Sequence, residues 1–126
     1  VILSWDDVRA DAADAREGHS VVLHEFAHKL DEEDGIDDGV PALPRRSMYA
    51  AWARVIGWEY EKLRRDAAKG RQTVLDKYGA ENPTEFFAVA TEAFFTRAEA
   101  LRRRHPELYD ELAEFYRQDP AAMMDL

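Results

Sequence analysis

The sequence predicts a mainly α domain, with one short strand at its N-terminal end. Three observations support this. Apolar residues recur at helical spacing through three long segments. Those segments are separated by clusters of Gly, Pro and acidic residues that act as breakers. Extended apolar character is confined to Val1–Trp5, closed by Asp6-Asp7.

A polar stretch from Arg9 to Gly18 has no strong period. The first helix is predicted from Ser20, a residue suited to an N-cap, to Leu30. Val21, Val22, Leu23, Phe26, Ala27 and Leu30 leave few polar positions on it, so the helix is expected to be buried with a polar site let into it. Asp31 to Pro44 is an acidic loop with Gly35, Gly39, Pro41 and Pro44. Acidic residues at 31, 34, 37 and 38 do not alternate as in a calcium-binding EF-hand, and the loop reads as a solvated rim. A second helix is predicted from Arg46 to Ala68, packed through Met48, Trp52, Val55, Ile56, Trp58 and Leu63. After a turn at Lys77–Glu81, Asn82 and Pro83 are suited to cap and open a third helix, Thr84 to Arg97. Two shorter helices follow, split at His105-Pro106 and ending near Gln118-Asp119-Pro120.

At 126 residues the chain is expected to be one domain or part of a longer protein, since it opens at Val1 without an initiator Met. A net charge of −9 argues against binding a nucleic-acid backbone or an anionic membrane surface, both of which are held mainly by Lys and Arg. The absence of cysteine excludes disulfides, thiolate-bound zinc and thiol nucleophiles, and fits a reducing compartment. No apolar stretch is long enough to span a bilayer as a helix.

The chemistry is concentrated in His24-Glu25-Phe26-Ala27-His28, an HExxH pattern. Residues four apart stack on one helix face, so both imidazoles can address one metal ion, and imidazole nitrogen suits Zn²⁺. Glu25 lies about 100° round the helix from His24. It is placed to take a proton from water rather than to ligate. Two of the four histidines falling at this spacing, on an otherwise apolar helix, weigh against a pair of ordinary core histidines.

A catalytic zinc site needs one more protein ligand. His19 precedes the helix and His105 sits before a proline far down the chain, so neither is a good candidate. Glu85 and Glu92 lie seven apart on one face of the third helix; either can ligate while the other supports from behind. Glu85 also matches a capping box with Asn82. Periodicity does not choose between them.

Ser4-Trp5-Asp6-Asp7, the segment from Val21 to Asp31, Asp38-Gly39-Val40-Pro41, the segment from Asn82 to Glu92, and Phe115-Tyr116-Arg117-Gln118-Asp119-Pro120 resemble the MtfA (Mlc titration factor A) family. The blocks occur in the family's order and cover nearly the whole chain. The resemblance implies a zincin-like metallopeptidase core over residues 1–126, similar to the catalytic core of anthrax lethal factor. It further implies a bacterial cytoplasmic zinc aminopeptidase acting on peptides, and a transcription repressor of the Mlc type as partner. In that group a Tyr-Gly pair precedes the Glu-Phe-Phe-Ala helix start, matched here by Tyr78-Gly79 and Glu85-Phe86-Phe87-Ala88. The resemblance therefore implies Glu85 as third zinc ligand beside His24 and His28, Glu25 as general base, and Tyr78 as hydrogen-bond donor to the oxyanion.

Asp31 shares the histidine face and is expected either to orient a ligand imidazole or to be rim charge. Family members carry more chain upstream, including strands that line the cleft, so the sequence is expected to lack part of the substrate site. The competing readings are a non-catalytic zinc-containing module that docks the repressor, and an inactive fragment.

Overall fold

The computed structural model describes residues 21–33 and 38–124. The predicted strand at Val1–Trp5, the Ser20 cap and His19 lie outside them. The described residues are mainly helical, with no strand among them: α1 (Val21–Glu32), α2 (Met48–Ala68), a 3-10 turn (Lys77–Ala80), α3 (Pro83–Thr96), α4 (Ala98–Arg104), α5 (Pro106–Tyr116) and α6 (Pro120–Met124).

Helix α3 is the axis of the fold. Every residue from Phe86 to Phe95 is buried, as expected for a largely apolar helix, and the run includes the polar Thr91 and Glu92. It packs against α1, the 3-10 turn, α4 and α5. Asn82 caps it by accepting the Glu85 N–H at 2.9 Å, and Pro83 occupies the first turn, where a missing N–H costs nothing. Aromatic rings fill the space on its far side. Phe87 meets Trp52 and Phe115 at 5.8 and 6.2 Å between centroids, and Phe94 lies 5.1 Å from Tyr109. The hydroxyl of half-buried Tyr116, its pKa pushed up by desolvation, shares a hydrogen bond with Thr91 Oγ1 at 2.8 Å.

Three sequence expectations change. Helix α1 is only half buried: Leu23, Ala27 and Asp31 form a narrow core stripe, whereas Val21 and Val22 are 78% and 48% exposed. Helix α2 begins at Met48, because Arg45 and Arg46 form i→i+3 turns with Met48 and Tyr49 and Ser47 makes no side-chain cap. Trp58, expected in the core, is 60% exposed. The buried stripe of α2 runs through Met48, Trp52, Val55, Ile56, Glu59, Leu63 and Asp66, so Glu59 takes the position that Trp58 misses by one residue. Its carboxylate bonds His105 Nδ1 at 2.8 Å, tying α2 to the break between α4 and α5.

The split at His105-Pro106 stands as expected, with Pro106 opening α5. Arg117, at φ 55°, closes that helix in the left-handed region. Beyond it, Asp119 and Pro120 start α6, where the sequence predicts the end of helical structure. Asp119 accepts from the Tyr109 hydroxyl and the Ala122 N–H; the Tyr109 pKa is pushed up to about 12, first by burial and then by Asp119.

Candidate metal centre

Helix α1 presents His24 and His28 one turn apart, with ring centroids 4.8 Å apart and planes inclined by 73°. The first turn of α3, fixed by the Asn82 cap, delivers Glu85 between them. Glu85 Oε2 lies 3.0 Å from His24 Nε2, and Oε1 lies 3.0 Å from His28 Nε2. The capping box is thus half used. The Asn82 side chain caps Glu85 N, but the Glu85 carboxylate turns to the imidazoles instead of the Asn82 amide.

Two turns further along α3, Glu92 Oε2 lies 3.1 Å from His24 Nδ1. The two glutamates that periodicity left undivided are therefore separated by geometry. Glu85 reaches both Nε2 atoms, and Glu92 holds the back of one ring. Glu92 raises the His24 pKa above 6.5, chiefly through this hydrogen bond; desolvation opposes the rise, while the Glu92 and Glu85 charges add to it.

These donors suit a divalent metal. One ligand atom from each of His24, His28 and Glu85 fits within a span of 4.8 Å, the one such group of three among the described residues. Bonds of about 2.0–2.1 Å in a tetrahedron separate neighbouring donors by roughly 3.3 Å. The two 3.0 Å contacts are made by different Glu85 oxygens, so one ion would be held once that carboxylate and the imidazoles adjust to this spacing. Two imidazoles and a carboxylate suit zinc, and three protein donors leave a position open for water or substrate. The bond from Nδ1 to Glu92 leaves His24 Nε2 as the ligating atom.

Glu25 is exposed and lies between two open depressions. One, about 350 Å³, is walled by Val21, Tyr78, Val89 and Glu92; the other, about 400 Å³, by His28, Glu32, Asn82 and Thr84. Tyr78 stands at the rim of the first, 54% exposed, with its ring centroid 6.2 Å from that of His24. Asp76 caps the 3-10 turn by accepting the Tyr78 N–H at 2.8 Å. Gly79 lets that turn settle onto the core, since a Cβ there would meet Leu63 and Val89 at 3.2 Å. Larger depressions occur elsewhere, including one of about 490 Å³ beside Trp58 and His105, so size alone does not mark the chemistry.

Asp31 is fully buried, which overturns the rim-charge expectation. Its two oxygens accept the Gly39 N–H at 3.0 and 2.8 Å, and Oδ1 takes the Asp38 N–H at 3.3 Å. The carboxylate seen against a ligand imidazole is that of Glu92. The tie from Asp31 to Gly39 has no local signature in the sequence, where Asp38-Gly39 stands only within one of the blocks of resemblance.

Residues 1–117 match the model of the glucose-regulated metallo-peptidase M90 family. An uncharacterized protein of Synechocystis sp. is 42% identical over 120 residues, covering 95% of this chain and 44% of the relative. Mlc titration factor A of Edwardsiella ictaluri is 42% identical over 123 residues, 95% of this chain and 46% of its own length. The protein of that name from Serratia proteamaculans is 37% identical over 127 residues, 98% and 47% respectively. The chain spans less than half the length of these relatives. Its mainly α, zincin-like core and converging His–His–Glu donors agree with the match, and the chain belongs to the M90 metallo-peptidase family, that of Mlc titration factor A.

Proposed function

We propose that this chain carries the catalytic domain of a zinc-dependent peptidase of the aminopeptidase type. The observation that supports it most is the convergence of His24, His28 and Glu85 from two helices, with Glu25 facing the cleft beside them. When bound, the zinc ion supplies a Lewis acid that acidifies water and polarises the scissile carbonyl.

The protein's own groups do the rest. Glu25 accepts a proton from the attacking water and returns it to the leaving amine, a role its exposure to both depressions allows. Tyr78 donates its phenolic hydrogen to the carbonyl oxygen as charge develops there. Glu92 fixes the tautomer and tilt of His24. Val21, Val89 and Tyr78 wall the depression on one side of Glu25 and offer apolar surface to a substrate side chain.

The test is hydrolysis of amino-acid anilides with added zinc, comparing the parent with Glu25→Gln. The parent should turn over, while the variant should bind zinc and stay inactive. Equal inactivity of two zinc-loaded proteins would refute hydrolysis by this chain. The name of the relatives supports a second reading, in which the domain docks a repressor of the Mlc type. Repressor binding that persists unchanged in Glu25→Gln and in His24→Ala would place docking apart from the metal centre.

A further inference from the structure

We propose that Asp31 and Gly39 form a brace that sets the spacing between the two helices carrying the metal donors, and so position Glu85 against the histidines. Asp31 closes the core stripe of α1, one turn beyond His28, with no exposed surface. A buried carboxylate needs hydrogen bonds to persist, and this one takes them from the chain at Gly39 and Asp38. The Asp38 side chain accepts the Val40 N–H at 3.0 Å and holds the turn in shape.

Gly39 then meets α3. Its φ is +81°, and a Cβ there would lie 2.4 Å from the Pro83 carbonyl oxygen and 2.7 Å from the carbonyl carbon. Those atoms are backbone, so no side-chain rotation relieves the overlap. Pro83 is the first residue of α3 and sits two residues before Glu85. A continuous path therefore runs from α1 through the Asp31 carboxylate, the Gly39 backbone and Pro83 to the third donor. Apolar helix faces tolerate small slides. Metal bonds tolerate only about 0.2 Å, and a hydrogen-bonded wedge at the end where Glu85 meets His28 supplies that accuracy.

The inference rests on the metal-site reading above, and its test separates the two. Zinc affinity is measured by chelator competition, and the donor set by the visible spectrum of the cobalt(II)-loaded protein. Parent, Asp31→Asn, Gly39→Ala and Leu112→Ala are compared well below their melting temperatures. Asp31→Asn keeps the size but turns an amide N–H toward backbone donors. Leu112→Ala removes a buried side chain from α5 and controls for lost stability alone. The brace predicts that Asp31→Asn and Gly39→Ala keep their helicity, lose about tenfold or more in zinc affinity, and change the cobalt spectrum. Leu112→Ala should melt earlier and bind zinc like the parent.

If Asp31→Asn and Gly39→Ala melt earlier yet bind zinc and cobalt as the parent does, Asp31 and Gly39 are structural only and the brace is refuted. Should Gly39→Ala fail to fold, Asp31→Asn decides alone. Parent zinc binding that survives His24→Ala intact would instead sink the metal-site reading, and the brace with it.

Discussion

Replacing Glu92 removes the carboxylate that holds His24 from behind while Glu85 faces the other ring nitrogen. In the parent, Glu92 Oε2 lies 3.1 Å from His24 Nδ1, while Nε2 faces Glu85. Loss of such an outer partner costs about 10–100-fold in metal affinity, or about 1.4–2.8 kcal/mol. Glu92→Gln keeps a neutral acceptor and should fall near the lower end; Glu92→Ala should approach the upper. The pH dependence sharpens the prediction. Because Glu92 raises the His24 pKa, the metal-free protein gains stability from this pair below the ordinary histidine value. That gain is lost as pH rises through the raised value. Metal binding runs the other way, since a proton on Nε2 must leave first. Removing Glu92 lowers the His24 pKa and weakens proton competition, so the affinity deficit should be largest at alkaline pH and shrink on acidification. Chelator competition across that range reads it directly. A deficit that is absent at high pH, or that grows in acid, would refute the assigned role of Glu92.

Other outcomes follow from the same geometry. Glu25→Gln should retain zinc and lose at least about 10²–10⁴-fold in turnover of an anilide substrate, measured at saturating metal. Glu85→Ala should lower zinc affinity more than Glu92→Ala, and the reverse order in a titration would exchange their roles. Tyr78→Phe should lower kcat with little change in zinc affinity, because the exposed ring lies beside the donors rather than among them. His105→Ala should destabilise by about 3–5 kcal/mol by leaving the Glu59 carboxylate buried and unpaired, whereas Glu59→Leu with His105→Leu should come near the parent in thermal melting. Neither change should alter zinc binding.

The site was more legible in the sequence than the packing around it. HExxH is a local pattern, and helix geometry alone puts His24 and His28 together. Asn82-Pro83 is equally local, and its predicted cap is present. The division of labour between Glu85 and Glu92 could not be read locally. It depends on how far α3 slides past α1; periodicity left both glutamates open, and the resemblance favoured Glu85. Trp58 and Glu59 show the other limit. Adjacent residues differ by about 100° round a helix, so a core stripe drawn through the more apolar one missed the buried carboxylate beside it. That carboxylate is stable only because His105, in a later element, pairs with it. Asp119-Pro120 repeats the signature of Asn82-Pro83 and opens α6, so that helix was readable in principle.

The rotation of α1 explains why three consecutive residues have three different tasks. Leu23, Ala27 and Asp31 form one row, fully buried against the core. The next row, about 100° round, is His24 and His28, with side chains 20% and 19% exposed: partly open to solvent, yet close enough to α3 to meet Glu85. The row after that holds Glu25, which faces both depressions. Burial of the first row fixes the angle of the other two, so core packing and the geometry of the donor cluster are one constraint here. Asp31 makes the argument sharper. It is a charged residue in the core row, and a Leu there would bury more apolar surface at less electrostatic cost. What a Leu could not do is accept the Gly39 N–H and anchor the turn that rests on Pro83. The row thus sets both the angle of α1 about its axis and, through its last member, the distance to the helix that brings Glu85.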